Sequence, residues 1–174
     1  MQKERVSIFI DGSNLYHSLK RMESEKVDFN KLIREISLGK ELVNVFYYIA
    51  PLDIAFNKEK YWEHQKFLAD LSKIKKFNVI LCTLRKYKKP DGSFGFAVKG
   101  DDVYLANDLL VGAYENLYDV AILISGDEDF IPVVKTLKRL NKKVENIYFS
   151  SSSSRKLRKI CGKSTNIRNI LEKI

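Results

Sequence analysis

The chain is punctuated by short, continuously apolar runs, and the two most apolar of them lead into aspartates. Residues 6–10 (VSIFI) run into Asp11, and residues 120–125 (VAILIS) run through Gly126 into Asp127. Residues 42–49, 77–83 and 144–149 share the same β-branched and aromatic character. A strand with one wet face alternates apolar and polar residues. These runs do not, so each is expected to be buried on both faces, as in a parallel sheet covered by helices. Stretches with helical spacing or helix-start signals fall between them, at 15–22, 29–38, 57–76, 101–117 and 128–140. The alternation predicts an α/β, three-layer Rossmann-like fold with a central parallel sheet of about five strands and helices on both faces. Ligands of such sheets bind beyond the carboxyl ends of the strands, where the strand order reverses. The aspartates stand where chemistry is expected.

Residues 84–98 break the pattern. Pro90-Asp91-Gly92 is a turn signal between RKYKK and SFGFAV, which predicts a small hairpin arm. Its basic residues Arg85, Lys86 and Lys88, interleaved with Tyr87, Phe94 and Phe96, suit single-stranded nucleic acid. The alternative is an amphipathic hairpin whose rings pack on the core. The arm leads into Lys99, which either meets a phosphate or is a plain surface lysine. Serines 150–153 predict a flexible connection, and one or two basic helices are expected over about 154–174. A single domain is expected for 1–174, with its core at about 5–150.

Charge is unevenly placed. Of the net +9, the segment from Lys135 onward holds 12 Lys/Arg against 2 Asp/Glu, while residues 1–134 nearly balance. That asymmetry is the electrostatic footprint of a nucleic-acid or anionic-surface binder. Gly162-Lys163-Ser164-Thr165 resembles the end of a phosphate-binding loop, but the pattern needs glycine at Leu157, so the motif is rejected. Cys82 and Cys161 lack metal-ligand spacing and are expected to be reduced core thiols. The start of the chain lacks a signal-peptide pattern and no run approaches the length of a membrane helix, so a cytoplasmic protein without a membrane partner is expected.

The acids carry the chemistry. Asp11 ends the first strand; Asp127 and Asp129 follow the fourth; Asp101 and Asp102 open the helix that continues to Asp108. Taken singly, each suits a helix N-terminus. Converging on one rim they would repel, which a fold tolerates when a cation neutralises them. All-oxygen ligands favour Mg²⁺ or Mn²⁺. An HAD-type phosphatase is disfavoured, because Ser125-Gly126 intervenes between the strand and Asp127, and Ile131 stands where Thr or Val is wanted.

FIDGSNLY, KGDDVYLANDLL and LISGDEDFIPVV together resemble the three motifs of NYN domains of the LabA-like branch, within the PIN-like nuclease superfamily. The resemblance implies Mg²⁺- or Mn²⁺-dependent hydrolysis of RNA, single-stranded or structured. It implies Asp11, Asp102, Asp127 and Asp129 as metal ligands and catalytic acids, with Asn14 positioning substrate or water and Ser125 beside the metal. Asp101 occupies a position usually apolar in the motif, which leaves open whether Asp101 or Asp102 faces the metal; Asp108 matches a further acidic position. A homodimer is compatible with this class. The competing expectation is a non-catalytic RNA- or protein-binding module on the same fold.

Overall fold

The computed structural model describes residues 2–22, 27–55 and 57–174. The strands are β1 (Arg5–Asp11), β2 (Glu41–Ile49), β3 (Phe77–Leu81), β4 (Thr83–Lys88), β5 (Phe94–Lys99), β6 (Val120–Ile124), β7 (Lys143–Tyr148) and β8 (Lys163–Asn166). The helices are α1 (Gly12–Arg21), α2 (Phe29–Ile36), α3 (Lys58–Ser72), α4 (Asp101–Tyr114), α5 (Ile131–Arg139), α6 (Arg155–Ile160) and α7 (Arg168–Leu171). One 3₁₀ turn, Glu128–Phe130, precedes α5.

Six strands form one parallel sheet in the order β3-β2-β1-β6-β7-β8. Counted along that sheet alone, the order is 3-2-1-4-5-6, the doubly wound arrangement whose direction reverses between β1 and β6. Side chains of β1 alternate between the two layers. Val6, Ile8 and Ile10 pack with Leu15 of α1, Leu32 of α2, Leu68 of α3 and Ile170 of α7. Phe9 packs on the opposite face with Leu105 and Leu109 of α4, Val134 of α5 and Leu157 of α6. Burial of each such aliphatic side chain contributes about 1.5–3 kcal/mol. The strand that carries Asp11 is therefore anchored on both sides.

The last 20 residues hold two short helices, α6 and α7, as expected, with an unexpected strand between them. Lys163–Asn166 is a strand at the sheet edge, and Leu157, Cys161, Ile167 and Ile170 are buried. The core thus extends beyond residue 150. The sequence KSTN hides this strand because an edge strand needs no apolar alternation, and a lysine there discourages pairing with another chain. The sheet therefore has six strands where about five were expected.

The serine run is packed as well. Ser154 N–H donates to the Gly126 carbonyl at 2.9 Å, and Ser18 and Ser152 hydroxyls meet at 2.7 Å. A Cβ on Gly126 would sit 1.8 Å from the Ser152 carbonyl oxygen, so this crossing requires glycine. Cys82 and Cys161 are free and buried. Among the described residues no helix is long and apolar enough to cross a membrane.

Candidate active site

The site is built where β1 and β6 part. Asp11 ends β1 and caps α1, its Oδ1 accepting the Asn14 backbone N–H at 2.9 Å. Gly12 makes the turn possible: a Cβ there would meet the Tyr48 carbonyl oxygen of β2 at 2.5 Å. The second Asp11 oxygen accepts the Ser125 hydroxyl at 2.9 Å, and Ser125 Oγ accepts the Asp127 N–H at 3.1 Å. Asn14 Oδ1 accepts the Gly126 N–H at 3.2 Å. These bonds tie the tips of two adjacent strands into one rigid corner, with Ser125 wholly buried and Asp11 only 5% exposed.

A third element closes the corner. Gly100 adopts φ +88°, a left-handed turn that suits glycine, and it starts α4 with Asp101 and Asp102 in the first turn. The Ser13 hydroxyl donates to Asp101 Oδ2 at 3.3 Å, linking α4 to α1. The resulting cleft encloses about 380 Å³, and Asp11, Asp101, Asp102 and Asp127 all line it. Both members of the Asp101/Asp102 pair therefore face the same space.

Electrostatics match that crowding. Burial raises the Asp11 carboxyl above its ordinary range, opposed by the bonds from Asn14 and Ser125 and reinforced by Asp101 and Asp127. Asp102 is pushed up to about 6, first by desolvation, then by Asp101, Asp11, Asp127 and Asp129. Its side chain is solvent-exposed by area, so its repulsion by four neighbours is partly screened. Asp129 does not line the cleft. It stands in the 3₁₀ turn at the rim, its N–H donating to Asp127 Oδ1 at 2.9 Å, close enough to be felt by Asp102.

Other expected residues lie elsewhere. Asp108 accepts the Tyr48 hydroxyl at 2.8 Å on the α4 side of the sheet and does not line the cleft. Arg85, Lys86, Lys88 and Lys99 belong to the β4–β5 hairpin and do not line it either. Cross-strand register divides them. Lys86 and Lys88 pair with Phe96 and Phe94 on one face, while Arg85 and Lys99 pair with Ala97 and Thr83 on the other. Lys86 Nζ lies 4.1 Å from the centre of the Phe94 ring, a cation–π contact within the arm. A larger hollow of about 600 Å³ lies beside Lys135, Lys138 and Arg139 and has no carboxylate in its lining.

Several residues escaped the sequence reading. Asn146 of β7 is 1% exposed and donates to the carbonyls of Leu123 and Ser125 at 3.1 and 2.9 Å, holding the end of β6. An amide within an apolar strand was the available signal. His17, Ser18 and Arg21 continue the cleft wall from Asn14. Helical spacing from Asn14 could have found them; the approach of Ser152 from a distant loop could not.

The donor set is compatible with a hydrated hard cation. Among the described residues no three Asp, Glu, His or Cys side chains are arranged to grip one ion together. Mg²⁺ does not require such a cage, since it keeps several waters and binds through one or two carboxylates. The fit rests on the mutually repelling carboxyls of Asp11, Asp101, Asp102 and Asp127 in one cleft, all of them oxygen donors.

Comparison with known proteins agrees with this architecture. A solved structure from Vibrio parahaemolyticus RIMD 2210633, VPA0982, described as a protein of unknown function, superposes with a TM-score of 0.71. It shares 28% identity over 98% of this chain and 96% of its own. No curated protein matches. The family model of the NYN domain matches residues 5–168. The chain therefore belongs to the NYN domain family, within the PIN-like nuclease superfamily.

Proposed function

We propose that this protein is a metal-dependent ribonuclease that hydrolyses RNA phosphodiester bonds. One observation carries the proposal: Asp11, Asp101, Asp102 and Asp127 converge on a single cleft at the point where the strand order reverses. Asp11, Asp102 and Asp127, with Asp129 at the rim, would hold Mg²⁺ or Mn²⁺. When bound, such an ion supplies Lewis acidity to a phosphate oxygen and acidifies water.

The chain's own residues prepare the rest. Ser125 and the Asn14 backbone fix both Asp11 oxygens, so that carboxylate needs no reorganisation during reaction. The Asn14 side-chain carbonyl oxygen accepts the Gly126 N–H, and its amide N–H groups, without a partner among the described residues, can donate to a substrate phosphate. Hydrolysis forms a bond from water oxygen to phosphorus and breaks the bond to the 3′ oxygen, leaving a 5′-phosphate and a 3′-hydroxyl.

The test is cleavage of single-stranded and hairpin RNA, with DNA alongside, in Mg²⁺, Mn²⁺ or EDTA. Metal-dependent cleavage lost by at least about a hundredfold in Asp11→Asn and Asp127→Asn is expected. Undiminished cleavage in both variants would refute the assignment. RNA binding without turnover, insensitive to EDTA, would assign a binding module instead.

A further inference from the structure

The cleft has a second end. Asn14, Ser18 and Arg21 are spaced i, i+4 and i+7 along α1, so they lie along one face of the helix. All three line the cleft, and His17 joins them one step round the same helix. Arg21 stands about two helical turns from Asn14, and so from the carboxylate corner. The opposite wall there is Ser152, whose hydroxyl is clasped to the buried Ser18. The cleft is therefore bipolar, acidic at the strand tips and basic at the end of α1.

That arginine is not explained by the acids. Among the described residues Arg21 forms no salt bridge with a carboxylate. Its guanidinium is exposed and reaches the Ser151 carbonyl at 3.5 Å, a contact at the outer limit of hydrogen bonding. The planar fork of arginine presents several N–H donors and suits phosphate better than a point charge does. His17 adds a ring N–H donor in either neutral tautomer. A polyanionic strand lying along this cleft would set one phosphate on the acidic corner, through a cation, and a neighbouring one against Arg21.

We propose that Arg21, supported by His17 and Ser152, forms a phosphate subsite for the RNA phosphate next to the scissile one. The proposal rests on the ribonuclease assignment above for the identity of the strand. The phosphate is either an internal diester or a terminal monophosphate; the two share this recognition chemistry. Arg21 is a binding and positioning residue, and its loss should weaken substrate capture more than turnover.

The experiment is fluorescence anisotropy of a short single-stranded RNA in EDTA, over a range of salt, with the wild-type chain, Arg21→Gln and Arg21→Lys. The RNA is used with a 5′-hydroxyl and with a 5′-phosphate. Arg21→Gln is expected to bind about tenfold more weakly. The slope of log affinity against log salt should fall by about 0.7, the value for one phosphate on a single strand. Arg21→Lys should keep the slope. Equal losses on both RNAs assign an internal diester; a loss confined to the phosphorylated RNA assigns a terminal one. Wild-type binding that Arg21→Gln leaves unchanged in affinity and slope would overturn the subsite, as would wild-type failure to bind RNA at low salt. A lowered melting temperature with equal loss in both variants would mark Arg21 as structural, and also overturn it. Cleavage in Mn²⁺ is measured in parallel on the same proteins. Cleavage with KM unaltered by Arg21→Gln removes the subsite and leaves the nuclease standing. Arg21-dependent binding without any cleavage does the reverse.

Discussion

Replacing Asp102 with asparagine should make the metal-free protein more stable while abolishing its proposed chemistry. The Asp102 carboxyl is pushed from 3.8 to about 6 by desolvation and by Asp101, Asp11, Asp127 and Asp129. At about 1.4 kcal/mol per tenfold change in proton affinity, the ceiling on the ionised group's destabilisation is about 3 kcal/mol. The side chain is exposed by area, so screening reduces that to about 1–1.5 kcal/mol. Its place in the first turn of α4 opposes the effect by about 0.3–0.5 kcal/mol through the helix dipole. The net gain for Asp102→Asn is about 1 kcal/mol, or about 2–4 °C in Tm for a chain of this size. The sign follows from linkage. A carboxyl raised in the folded state binds its proton more tightly there than when unfolded, so stability falls as pH rises from 3.8 to about 6 and stays lowered above. The gain from Asp102→Asn should be full at pH 8 and shrink steadily as pH drops below 6. Urea denaturation in EDTA at pH 8 and pH 4.5 measures it. Adding Mg²⁺ should stabilise the wild type more than the variant, because the cation relieves the same repulsion. No gain at pH 8, or a gain of the same size at both pH values, would show that repulsion among the cleft carboxylates does not destabilise the fold.

Two further outcomes follow from the packing around the site. Gly126→Ala places a Cβ 1.8 Å from the Ser152 carbonyl oxygen, so the serine loop must move; a loss of about 2 kcal/mol or more is expected in urea denaturation, with reduced cleavage. Asn146→Ala leaves the buried Leu123 and Ser125 carbonyls without their side-chain donor and should cost about 1–3 kcal/mol, measured the same way.

What the sequence disclosed divides along physical lines. The apolar runs at 6–10 and 120–125 are legible because burial on both faces leaves no polar alternation, and they become β1 and β6. Asp11, Asp102 and Asp127 could be placed because strand ends and helix starts fix where a carboxylate stands. The structure brings them to one cleft with Asp101. Asp108 shows the limit of a motif position: about two turns beyond Asp101, and so about 10 Å further along α4, it lies past the cleft and accepts the Tyr48 hydroxyl instead. The hairpin was placed by Pro90-Asp91-Gly92, yet which basic residues share a face depends on cross-strand register, which the turn alone did not fix. Edge strand β8 and the Ser18–Ser152 clasp were invisible, because both are made by polar residues whose partners are remote in the chain.

The proposed chemistry requires a catalytic cation in the acidic corner between β1 and β6. Its most direct test is anomalous diffraction from a crystal soaked in Mn²⁺, with the coordinating side chains identified. A peak bound by Asp11 and at least one of Asp102 and Asp127, and absent from Asp11→Asn crystals, is the predicted result. Manganese bound elsewhere, or a corner that stays empty at saturating Mn²⁺, would mean that these carboxylates do not form a metal site.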